Sequence, residues 1–165
     1  MKKTILLLTA LFLISCVGLQ TRDYNPDTGF TGFNGISFET DIKDCPELKF
    51  LVDLPSGAGK QYFNPSEEYI TYLGYKVLIR YNFYHDKFDG VALVFGPDYN
   101  PEALGLQLKD TYGYPDGIMP SAVMWQFPKA RLVWFYEARQ IVIISTWSIE
   151  SWNKEQEGKK GELSV

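Results

Sequence analysis

Tyr75-Lys76-Val77-Leu78-Ile79-Arg80-Tyr81-Asn82-Phe83-Tyr84 decides the fold. Its side chains alternate, with Val77, Ile79, Tyr81 and Phe83 on one face and Leu78, Arg80, Asn82 and Tyr84 on the other. A period of two over this length predicts a β-strand with one buried face. His85-Asp86-Lys87-Phe88-Asp89-Gly90 then turns the chain, and Val91, Leu93 and Phe95 bring it back as the next strand. Two such runs joined by turn residues predict an antiparallel hairpin.

The same period recurs on both sides. Upstream, Leu48, Phe50, Val52 and Leu54 alternate, Pro55 to Gly59 form a loop, Gln61–Asn64 read as a short strand, and Asn64 to Glu68 as a turn. Thr40 is placed to N-cap a short helix over 41–45, which Pro46 limits. Downstream, Asn100-Pro101-Glu102 predicts a helix start, with Asn as N-cap and Pro at the first helical position. Leu104, Leu108 and Thr111-Tyr112 give it an apolar stripe, and Gly113 and Pro115 end it. Strands are expected at Ala122–Phe127, Arg131–Glu137 and Gln140–Ile149, the last two meeting at an Ala138-Arg139 turn. The expected class is α+β: an antiparallel sheet of five to seven strands in two meander-like halves, with two or so helices on one face. Two smaller sheet units side by side are the alternative. The expected division is 1–15 signal peptide, 16–35 lipidated Cys and flexible tether, 36–152 folded domain, and 153–165 loose polar tail.

The chain has 165 residues, 16 basic and 20 acidic groups, a net charge of −4, two Cys and one His. This suits one globular domain and argues against a nucleic-acid binder, which carries a basic footprint. Two Cys cannot staple a disulfide scaffold. One His and one thiol in the folded part fall short of a zinc site.

Residues 1–16 read MKKTILLLTALFLISC. Lys2 and Lys3 precede an apolar run from Ile5 to Ile14, too short to span a bilayer, which needs roughly 20 apolar residues. Leu13-Ile14-Ser15-Cys16 resembles the lipobox of bacterial lipoproteins: a branched apolar residue, a small residue, then Cys. The small Ser15 fits a narrow peptidase subsite, and the Cys16 thiol takes a diacylglyceryl group. The resemblance implies cleavage after Ser15, lipidation of Cys16 with fatty acyl chains such as palmitate, and anchorage of the chain in the cell envelope. With Val17 where an Asp would favour inner-membrane retention, it implies the outer membrane, facing the periplasm. Two or three acyl chains anchor stably where one does so marginally. Losing Lys2 and Lys3 leaves 14 basic against 20 acidic groups, a side-chain sum of −6, so anionic lipid offers the domain little attraction.

Gly32-Phe33-Asn34-Gly35-Ile36-Ser37-Phe38-Glu39-Thr40-Asp41-Ile42 resembles the G-F-x-G-I-x-W-G-T-x-I opening of many small, uncharacterised exported bacterial proteins. Phe38 stands at the Trp position and Glu39 at the second Gly, and the resemblance implies no activity.

Other constellations point to structure more than to chemistry. Pro55 to Gln61 resembles a phosphate loop, but Leu54 replaces its first Gly and Gln61 its Ser/Thr. Asp23 to Gly29 spaces oxygen donors as a calcium loop does, yet Thr28 and Asn34 stand where Gly and Glu are needed. His85 beside Asp86 reads as a surface turn; a catalytic pair would need a nucleophile, and no G-x-S-x-G elbow exists. Cys45 reads as a small buried hydrophobe. Glu67-Glu68, and Asp110 with Asp116, read as solvated surface.

Aromatic residues make up 16% of the chain. Trp134, Tyr136, Trp147 and Trp152 form the candidate interaction surface, since Tyr and Trp combine apolar area with a polar tip. The expected function is a lipid-anchored, non-enzymatic binding or interaction domain, held to the membrane through Cys16 and meeting an envelope protein; no cofactor or metal is expected. The alternatives are a carrier or sensor of a small apolar ligand, held in a cleft between helices and sheet, and a small carboxylate-dependent hydrolase.

Overall fold

The structure, a computed structural model, describes residues 24–162. Two short hairpins open it: β1 (Tyr24–Asn25) with β2 (Gly29–Phe30), and β3 (Gly32–Phe33) with β4 (Ile36–Ser37). A 3-10 turn at Ile42–Asp44 leads to β5 (Lys49–Asp53), β6 (Lys60–Phe63), β7 (Tyr69–Tyr72), β8 (Tyr75–Tyr84) and β9 (Lys87–Phe95). Helix α1 (Pro101–Tyr112) follows, then β10 (Gly117–Met119), β11 (Ala122–Gln126), β12 (Ala130–Phe135) and β13 (Gln140–Ser145), which runs into helix α2 (Thr146–Glu162). Among the described residues no helix is long and apolar enough to cross a membrane.

The strands β5–β13 form one antiparallel sheet in the order β10-β11-β12-β13-β9-β8-β6-β5, with β7 sharing the outer edge of β8 with β6. Nine strands exceed the five to seven expected. The two meanders are continuous because β13 pairs with β9, Ile141 opposite Leu93 and Ile143 opposite Val91. Gly90 permits that junction. A Cβ there would stand 2.0 Å from the Ile143 carbonyl oxygen, so only glycine lets β9 approach so closely.

The alternation in β8 falls as the sequence requires: Val77, Ile79, Tyr81 and Phe83 are all buried. Directly opposite pairs extend this face through Leu93, Ile141, Trp134 and Leu132. Helix α1 covers it with Leu104, Leu108 and Tyr112. The helix starts where Asn100 Oδ1 accepts the Ala103 N–H at 3.1 Å, and ends at Gly113 with φ +81°.

Three expectations are overturned. The helices do not share a face: α1 packs against Trp134 and Leu132, whereas α2 lies over Tyr84 and Ile144, whose side chains point to the other side of the sheet. The supposed tether is partly core, since Phe30 and Phe33 are fully buried. Phe30 joins a ring cluster with Tyr24, Tyr112 and Phe127, and a Cβ on Gly32 would meet the Ile36 carbonyl oxygen at 2.2 Å, so the glycine-rich sequence permits close packing. Finally, the last strand stops at Ser145, and the segment from Asn153 continues as helix to Glu162 instead of a loose tail. Lys, Glu and Gln, good helix formers, dominate it.

Candidate functional site

The β8–β9 turn contains only His85 and Asp86, with φ +49° and +58°. Positive φ at both positions is what a two-residue type I′ hairpin demands. Tyr84 pairs with Lys87 and Phe83 with Phe88, but the next pair is Asn82 with Gly90. Asp89 is therefore the extra residue of a β-bulge. Bulges redirect a side chain out of the regular alternation, and here the bulged residue lines a cavity beneath α2.

Helix α2 begins without a loop because Ser145 caps it. Ser145 Oγ accepts the Ser148 N–H at 3.2 Å, and the Ser148 hydroxyl donates to the Ser145 carbonyl at 3.0 Å. Ser148, Ile149, Trp152 and Asn153 share one helical face by their spacing. With Tyr84, Asp89, Ile144 and Ala58 they line a half-open cavity of about 230 Å³, walled mainly by apolar atoms. One turn further along α2, Glu155 Oε1 lies 2.5 Å from His85 Nε2.

Asp89 is 4% exposed, and it is the one buried Asp, Glu, Lys, Arg or His among the described residues. Its Oδ1 is buried without a hydrogen-bond partner. Burial pushes its carboxyl pKa up to about 7, opposed in part by the polarity of its own backbone N–H and of the nearby Ser148 hydroxyl. The buried Tyr84 hydroxyl has no hydrogen bond of good geometry; burial first, then the nearby Glu155 and Asp89 carboxyls, push it up to about 12. No Lys, Arg or His lines the cavity. The space thus places a carboxyl with an unsatisfied oxygen beside hydroxyl groups and two aromatic rings, in a half-open, mainly apolar setting.

On the far side of Tyr84 lies a more polar cleft of about 480 Å³ bordered by Asp53, Lys60, His85 and Asp86. Its one lysine is already paired: Lys60 Nζ donates to Asp86 at 3.0 Å. His85 therefore pairs with Glu155 and not with its sequence neighbour Asp86, and no Ser or Thr lines either cavity near it except Ser148.

The sequence-selected aromatics divide into two pairs. Trp134 is 8% exposed, and its indole N–H donates to the Tyr99 hydroxyl at 2.9 Å. Tyr136, half-buried beside it, donates its hydroxyl to the Pro120 carbonyl. Both border a shallow groove along α1 that Leu106 also lines. Trp147 and Trp152 belong instead to α2: Trp147 packs edge-on against Tyr84, and Trp152 walls the Asp89 cavity. Packing thus claims Trp134 for the core.

The acidic candidates do not converge. Glu67 accepts from Asn34 Nδ2, Glu68 from Arg80 Nη2, and Asp116 from the Gln126 backbone N–H. Cys45 is buried beside the first 3-10 turn, and burial raises its thiol pKa. Among the described residues no three His, Cys, Asp or Glu side chains gather as a metal group would require. Cys16 and the lipobox lie outside the described residues.

Sequence reasoning missed Asp89 because it assigned 85–90 to a turn. The available signal was a lone acid between Phe88 and Gly90-Val91, which becomes a buried strand residue once the turn shrinks to two positions. No protein-family model, no curated protein and no solved structure matches this chain.

Proposed function

We propose that this chain is a lipid-anchored cell-envelope protein whose domain binds a small ligand in the cavity between α2 and the sheet, and does no chemistry on it. The observation that carries the reading is the buried, unsatisfied Oδ1 of Asp89 in an apolar-walled space. A buried polar atom without a partner costs about 1–3 kcal/mol, which a bound molecule can recover. At about 230 Å³ the space is somewhat smaller than the roughly 300 Å³ at which drug-sized pockets begin, so it suits a compact molecule.

A small ligand is favoured over a macromolecular partner because two of the four aromatics expected to face a partner, Trp134 and Tyr136, make internal contacts, and a third, Trp152, walls the cavity. The cavity also favours binding over hydrolysis, since no second carboxylate lines it. Membrane anchorage rests on the Leu13–Cys16 resemblance.

Native mass spectrometry of the mature protein extracted from its host membrane tests both parts. A compact molecule should travel with the wild type and be lost from Ile149→Trp, which fills the cavity. The N-terminal peptide should begin at Cys16 and carry acyl mass. An empty wild-type protein that also ignores added probes would overturn the binding reading; an unmodified or differently cleaved N-terminus would overturn the anchor.

A further inference from the structure

We infer that the ligand is a compact organic ammonium ion with an apolar body, its N–H groups directed at the Asp89 carboxyl group, which lines the cavity. This rests on the cavity being a ligand site, and it specifies the chemistry that site selects.

The argument starts from what is left unpaired. Asp89 lines the cavity, and the Oδ1 of its carboxyl group is buried with no donor, so a complementary ligand must bring a donor to that carboxyl. A charged donor is favoured over a neutral one, because hydrogen bonds to ionised groups are roughly twice as strong as neutral ones. An anionic ligand is disfavoured. No basic side chain lines the space, whereas the Asp89 carboxyl does. The polar residues of the lining fit an ammonium head, which has up to three N–H donors: Ser148 and Asn153 both carry side-chain oxygens that can accept. The walls fit as well. Trp152 and Tyr84 contribute aromatic rings, whose faces attract cations, and Ile144 and Ile149 supply apolar surface for the ligand's body. The volume corresponds to about seven or eight waters of liquid, the size of a one-ring amine.

Ligand binding should also shift the Asp89 titration. The titratable groups around Asp89 are Tyr84 from β8 and, beyond it, Glu155 from α2 with its partner His85 from the hairpin turn, whose ring lies against Tyr84; β13 contributes Ile144, and the 55–59 loop Ala58, neither of them charged. A cation stabilises the carboxylate, so amine binding strengthens as Asp89 loses its proton.

Calorimetric titration of the mature protein in lipid nanodiscs, with empty nanodiscs as the blank, can separate the claims. Three probes of matched shape are used: phenethylamine, 2-phenylethanol and 3-phenylpropanoate. The amine should bind at least tenfold more tightly than the other two at pH 8. Its affinity should fall at least tenfold at pH 5, where the amine stays charged but Asp89 is protonated. Asp89→Asn should abolish both the preference and the pH dependence while keeping alcohol binding. If the alcohol matches the amine in the wild type, or the preference survives in Asp89→Asn, the ammonium assignment fails and the cavity reading stands. If no probe binds, or Ile149→Trp binds them as the wild type does, both fail. The pH profile of the wild type keeps the test decisive even if Asp89→Asn folds poorly.

Discussion

His85 Nε2 and Glu155 Oε1 lie 2.5 Å apart, joining the tip of the β8–β9 hairpin to a helix seventy positions later. Both side chains are well exposed, 61% and 41%, so the pair contributes at most about 1 kcal/mol to global stability. Its effect is local: it pins α2 over the cavity. Glu155→Gln should therefore leave the melting temperature nearly unchanged while α2 amides exchange hydrogen faster and β13 amides keep their rate. Hydrogen-exchange mass spectrometry reads this directly.

Asp89 gives the domain an unusual pH dependence. Its carboxyl binds a proton up to about pH 7 when folded, against an ordinary value of 3.8. Between those values the folded state holds a proton that the unfolded state has lost, so stability falls as pH rises and levels off above about 7. The full difference is on the order of 4 kcal/mol. Asp89→Asn removes this slope. In urea titrations without ligand the variant should be the more stable protein at pH 8, with the advantage shrinking towards pH 4.

Gly90→Ala places a methyl group against the Ile143 carbonyl at the junction of the two meanders. Two central strands must separate to admit it, at a cost of roughly 3 kcal/mol or more. Loss of soluble protein, or a drop in melting temperature of many degrees, is expected. A neutral outcome would mean that β9 and β13 can part at Gly90 at little cost.

Phe33→Ala tests whether the opening segment belongs to the core. Its ring is buried and packs 6.4 Å from that of Tyr72. Truncation should cost roughly 3–5 kcal/mol in chemical denaturation. A residue in a free tether would cost nothing.

Strand β5 is an open edge with Phe50, Leu51 and Val52 all exposed, flanked by Lys49 and Asp53. Apolar edges invite pairing with other chains. Leu51→Lys should slow concentration-dependent aggregation, followed by light scattering, without lowering stability by more than about 0.5 kcal/mol.

Much of this architecture is written in local pattern. The period of two over 75–84, and the Asn100-Pro101 start with its Gly113 stop, are strong because each residue's preference agrees with its neighbours'. The failures share a cause: they depend on partners distant in sequence. Gln140 to Ile149 is apolar enough to read as one strand, and only the Ser145–Ser148 cap and the sheet surface beneath α2 divide it into strand and helix. Gly32 looks like a flexible linker residue until the Ile36 carbonyl lies against it. Asp89 looks like part of a solvated turn until the register shift between Asn82 and Phe83 leaves it opposite no residue.

Ser145 ends the strand that stitches the two meanders together, and the same residue fixes the first turn of α2. With no slack between them, any tilt of α2 would pull directly on the Gly90–Ile144 pairing at the central seam.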